Sequence, residues 1–64
     1  MENDIKKLRK TQKMSQDELA KKCKVSRQTI NAIENNKYDP SLNLAFCIAE
    51  SLNISIDNVF FYKK

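Results

Sequence analysis

Apolar residues along this chain recur mainly three and four positions apart, the spacing that draws one stripe down a helix. Ile5 and Leu8 open the series and predict a first helix from about Asn3 or Asp4 to Gln12, with Lys6, Lys7 and Lys10 in solvent. Leu19, Ala20 and Cys23 form the next inward set and Ile30 with Ile33 the third, while Val25 plugs the corner where those two helices cross. Leu42, Leu44, Ala45, Ile48, Ala49 and Leu52 carry a fourth helix, with Phe46 and Cys47 off its stripe. Asn53-Ile54 reads as a connector and Ser55 as the cap of a last helical turn through about Phe60. The chain ends Val59-Phe60-Phe61-Tyr62-Lys63-Lys64, a short aromatic, β-prone run suited to extending as a strand against a partner.

Start and stop signals cut these stripes into elements. Ser15 with Glu18 three positions on is a capping box, and Ser26 ahead of Arg27 is a second start. Two short helices must therefore join across Lys24-Val25, a helix-turn-helix layout spanning residues 16–35. Tyr38-Asp39-Pro40 breaks the chain before Ser41 caps the fourth helix. Lys13, Lys24 and Asn36 stand at helix ends that call for positive φ, yet the chain contains no glycine. Asparagine tolerates that region, whereas lysine there costs on the order of 1 kcal/mol, offset by a less flexible unfolded chain.

The helix over about 27–35 leaves an informative outer face. Gln28, Asn31, Ala32 and Asn35 lie opposite Ile30 and Ile33, with Arg27 and Thr29 flanking at the first turn. Such a face suits the hydrogen-bonding edges of bases in a DNA major groove. Glu34 falls on the inward side beside Ile30 and is the candidate partner for Arg9, which sits at the edge of the first helix's buried stripe.

Composition narrows the class. Sixty-four residues make one domain near the lower size limit for folding without staples, and 41% hydrophobic with 31% charged residues is ordinary for a globular chain. The net charge of +4 is unevenly spread: residues 1–37 hold ten lysines and arginines against five acids, and the remainder two against three. The positive charge thus falls on the half that carries the two-helix motif, as a polyanion would require. The absence of histidine excludes histidine-based catalysis. With no glycine-rich phosphate loop and no nucleophile arrangement, neither an enzyme nor a cofactor is expected, and no small-molecule ligand is evident.

Cys23 and Cys47, far apart and without histidine, make neither a zinc site nor a disulfide framework. Cys23 reads as a small buried hydrophobe, and Cys47, beside Phe46, as facing away from the core. The start Met1-Glu2-Asn3-Asp4 lacks the basic then apolar pattern of a secretory leader, and no stretch has membrane-spanning length, so a cytoplasmic protein is expected.

Taken together, Ser-Gln-Asp-Glu-Leu-Ala at 15–20, Val-Ser-Arg-Gln-Thr-Ile at 25–30, Ile-Glu-Asn at 33–35, Lys37-Tyr38, Pro40-Ser41-Leu42, Leu44-Ala45 and Ile48-Ala49 resemble the Cro/phage-repressor (Xre) family. The resemblance runs from Ile5 to about Phe60. It implies an all-α, lambda repressor-like, compact five-helix bundle, to which the β-prone tail adds a short C-terminal strand. It implies a sequence-specific transcriptional regulator, expected to be a repressor, that binds a palindromic operator as a homodimer through the major groove. Residue by residue it implies base reading by Arg27, Gln28, Thr29, Asn31 and Ala32. It assigns DNA-backbone contacts to Gln16, Ser26, Asn35, Lys37 and Tyr38, Gln16 also bracing a reading side chain. Arg9 and Glu34 match an internal salt bridge, and glycine is usual where Lys13, Lys24 and Asn36 stand.

The large apolar groups of the last turn and tail exceed what one small core is expected to cover. Ile56, Val59, Phe60, Phe61 and Tyr62, with Phe46, are therefore the expected dimer surface. Two other readings compete: an antitoxin that regulates its own operon, and a protein-interaction adaptor that uses the same fold without DNA.

Overall fold

The structure, a computed structural model, describes residues 1–62. In chain order it contains β1 (Glu2–Asn3), α1 (Ile5–Thr11), α2 (Gln16–Lys22), α3 (Arg27–Glu34), α4 (Leu42–Leu52), α5 (Ile56–Val59) and β2 (Phe60–Phe61). Lys63 and Lys64, the end of the aromatic tail, lie outside the described residues.

Serines set where three of the helices begin. Ser15 accepts from the Glu18 N–H at 3.0 Å while Glu18 Oε1 accepts from the Ser15 N–H at 3.1 Å, a complete capping box. Ser26 takes the Thr29 N–H and Ser41 the Leu44 N–H, each at 3.1 Å. Ser55 departs from the expected pattern: its backbone is extended as a cap requires, but its hydroxyl accepts from the Asn58 side chain instead of a helix N–H.

Lys13, Lys24 and Asn36 all adopt positive φ, between 56° and 61°. Asn53 is a fourth such residue, at 57°, closing α4 where the sequence signalled only a connector. Each turn ties its chain back by a backbone bond into the preceding helix, as in Met14 N–H to the Arg9 carbonyl at 2.8 Å and Val25 N–H to the Ala20 carbonyl at 3.0 Å.

One core joins the helices. Ile5, Leu19, Ile30, Ile33, Ile48, Leu52 and Val59 are fully buried, and Leu8, Met14, Val25, Leu44, Ile54 and Ile56 pack around them. Gln12, at the end of α1, donates its side-chain amide to the Leu52 carbonyl at 2.6 Å and so anchors α1 on the end of α4.

Five expectations are corrected by this packing. Leu42 belongs to the apolar repeat of α4 but is 68% exposed, because it precedes the turn at which α4 meets the core. Val59 and Phe60 are 0% and 8% exposed, so they complete this chain's own core instead of forming an outward apolar surface. The tail does form a strand, but its partner is this chain: Phe61 pairs with Glu2 and Phe60 with Asn3, antiparallel. Asn3 therefore belongs to a strand and α1 starts after Asp4. Finally, Cys47 is half-buried against the core and donates to the Lys22 carbonyl at 3.7 Å, so it faces α2.

Candidate nucleic-acid interface

The face of α3 away from the core is polar because Ile30 and Ile33, both essentially inaccessible, consume the inner face. Arg27, Gln28 and Asn31 are exposed and line one recess, and Ala32 on the same helix is half-buried. Arg27 also borders a second recess shared with Ser15, Gln16 and Asp17 at the start of α2. The exposed side of α3 and the first turn of α2 therefore adjoin through Arg27.

Several of these side chains are already engaged. Ser26 and Thr29 share a hydroxyl hydrogen bond at 2.9 Å, which holds Thr29 against the helix start. Asn35 donates its amide to the Asn31 carbonyl at 2.8 Å and to Asn31 Oδ1 at 3.3 Å. Lys37 and Tyr38 follow α3 in an exposed loop whose start is secured by the Lys37 N–H on the Ala32 carbonyl at 2.9 Å.

Beneath this face lies a charged junction. Arg9 Nε meets Glu34 Oε2 at 2.7 Å, its second nitrogen reaches Oε1 at 3.2 Å, and its third donates to the Met14 carbonyl at 2.9 Å. The Glu34 side chain is 2% exposed and that of Arg9 9%, so the bidentate pair fixes α3 against α1 away from water. Gln16 Nε2 donates to Glu34 Oε1 at 3.0 Å, so its amide braces the carboxylate beneath α3.

Asn3 was not singled out by sequence reasoning, yet its side chain joins three elements. Its Oδ1 accepts the Ile5 N–H at the start of α1, and its Nδ2 donates to the Ile33 carbonyl at 2.9 Å and to Asn36 Oδ1 at 3.3 Å. A polar residue next to a predicted helix start signals a local cap, and nothing in its spacing points to the end of α3. Lys6, Lys7 and Lys10 border a recess that also holds Asn3, Asp4, Thr11 and Glu34.

Of the six residues expected at a dimer surface, Phe46, Phe61 and Tyr62 are exposed and Ile56 is half-buried. Phe46 and Ile56 line one recess between α4 and α5, while Phe61 and Tyr62 line another beside β1. Among the described residues no cluster of three or more potential metal ligands occurs, and no helix is long and apolar enough to cross a membrane.

Comparison with known proteins agrees with this architecture. A protein family described as helix-turn-helix matches residues 5–59. An uncharacterized HTH-type transcriptional regulator of Methanocaldococcus jannaschii is 51% identical over 63 residues, covering 98% of this chain and 96% of the relative. The immunity repressor protein of Bacillus phage phi105 is 36% identical over 55 residues, covering 86% of this chain but 38% of the repressor. Among solved structures, the SinR protein/SinI protein complex contains a chain that superimposes with a TM-score of 0.75 at 31% identity, over 83% of this chain and 52% of that one. This chain thus spans about half the length of that structural neighbour. The capped two-helix motif, the five-helix bundle around it and these similarities place the chain in the helix-turn-helix family of DNA-binding transcriptional regulators, of the Xre or lambda repressor-like type.

Proposed function

We propose that this chain acts in the cytoplasm as a sequence-specific repressor that binds a palindromic operator as a homodimer. The 64 residues work as one binding domain. The carrying observation is the exposed recess of Arg27, Gln28 and Asn31 on α3, backed by Ile30 and Ile33. Arg27 grips guanine bidentately, Gln28 reads adenine, and Asn31 donates to a third base. Thr29, held by Ser26, presents its methyl to thymine, and the small Ala32 lets the helix sit close.

Ser26, Asn35, Lys37 and Tyr38 contact phosphates and set register without reading sequence. Gln16 approaches a phosphate from the start of α2, its position held by Glu34. The name of the phi105 relative supports repression over activation. Dimerisation uses Phe46 and Ile56 with Phe61 and Tyr62, and places two copies of α3 about 34 Å apart in successive major grooves.

The test is selection from a pool of random-sequence duplexes with purified protein, followed by titration of the winning site. The expected result is an enriched inverted repeat with half-site centres about one helical turn apart. A pool that stays unenriched overturns the reading and leaves the adaptor alternative standing.

A further inference from the structure

Cys23 and Cys47 take no part in the face described above. Cys23 closes the C-terminal end of α2, buried against α4, with its Sγ 3.7 Å from Ser51 Oγ. Cys47 stands one helical turn before Ser51 on the same side of α4, and its Sγ donates to the carbonyl of Lys22, the residue before Cys23. These two contacts run in opposite directions across the α2–α4 seam and bring both thiols into it. Burial first, and the Cys47 side chain hydrogen-bonded to it second, push the Cys23 thiol up to about 11. Cys47 is half-buried and so the more reachable of the two.

We propose that Cys23 and Cys47 form an oxidisable dithiol, which a small-molecule disulfide converts into an intramolecular bond stapling α2 to α4. The Cys47 thiolate attacks one sulfur of R–S–S–R, forms Cys47–S–S–R and expels RS⁻, which takes up the proton lost from Cys47. Cys23 then attacks the Cys47 sulfur, the S–S bond between Cys47 and the RS group breaks, and a second RSH leaves with the Cys23 proton. Two cysteines lose two electrons and the small disulfide gains them. Cys47 reacts first because it is accessible, while Cys23, shielded from solvent, acts only on the mixed disulfide delivered beside it, passing its proton to the departing RS⁻ as it attacks. The closed loop contains the whole of α3, so oxidation ties off the segment between Lys24 and Phe46.

The test incubates the full chain with excess oxidised glutathione, followed by acid quenching and intact mass measurement. The expected product is a monomer lighter by two hydrogens, without free thiols, and with a Tm above that of the reduced chain. Cys23→Ser should stop at a glutathione adduct on Cys47, and Cys47→Ser should react roughly tenfold more slowly than the parent. Circular dichroism establishes that each variant is folded, and the parent result decides the matter without them. A parent chain that keeps both thiols, retains glutathione, links chain to chain or loses Tm on oxidation overturns the proposal.

Discussion

Gln16 donates its side-chain amide to Glu34 Oε1 at 3.0 Å, on the same carboxylate that Arg9 grips through Oε2 at 2.7 Å. One buried acid therefore sets α3 relative to both α1 and α2. The residues proposed to face DNA depend on an ion pair that is almost wholly buried.

Removing one partner should be far worse than removing both. Arg9→Met leaves the Glu34 carboxylate buried and uncompensated, and is expected to destabilise by about 3–5 kcal/mol. Arg9→Met combined with Glu34→Leu should regain most of that, since an apolar pair needs no desolvation offset. Urea unfolding of the three chains measures the difference, and a double variant no more stable than the single one contradicts the argument.

Base reading and phosphate contact separate by experiment. Gln28→Ala should leave folding unchanged and lose about 1–3 kcal/mol of discrimination at one base pair of the selected site. Lys37→Ala should weaken binding to every sequence alike and reduce the slope of log affinity against log salt by about 0.9. Titrations of matched and singly mismatched duplexes at several salt concentrations read both effects.

Adjacent phenylalanines in β2 should respond differently. Phe60 is 8% exposed and Phe61 39%, with their side chains on opposite faces of the short strand. Phe60→Ala is expected to cost about 3–5 kcal/mol of stability. Phe61→Ala should change unfolding little and shift the monomer–dimer equilibrium toward monomer, which sedimentation equilibrium measures.

Stability should fall as pH rises from about 9 to about 11, the interval between the ordinary and the raised position of the Cys23 thiol. Within it the unfolded chain releases a proton that the folded chain still holds, so alkali favours unfolding; below it both forms are protonated. Cys23→Ala removes this contribution. Its unfolding free energy should decline less steeply than the parent's between those limits in buffered urea titrations.

Much of the architecture was legible because the signals are local. A serine preceding a helix captures N–H groups three residues away, and apolar residues at helical spacing must share a face, so the capped two-helix motif and the core of α2, α3 and α4 follow from short stretches of sequence. The three turns at Lys13, Lys24 and Asn36 were equally readable, since a helix that stops so abruptly requires positive φ whichever residue stands there. The Arg9 and Glu34 side chains were each placed by their own helix wheel, but their meeting distance depended on the crossing of α1 and α3.

What sequence spacing left undecided concerns which apolar surfaces found a partner within the chain. Leu42 and Phe60 carry equivalent hydrophobic signals, yet one is exposed and the other buried, because burial depends on where the ends of α4 and β2 come to rest. The tail's β propensity was local, whereas its pairing with Glu2–Asn3 required the two ends of the described chain to meet. Asn3 bonding to Ile33 and Cys47 turning toward Lys22 are likewise contacts between residues distant in sequence. Sequence alone thus determined the helices, the serine caps of α2, α3 and α4 and the polar face of α3, since each arises within a few residues; tertiary packing decided which remaining surfaces the folded chain covers, because that depends on how the helices cross.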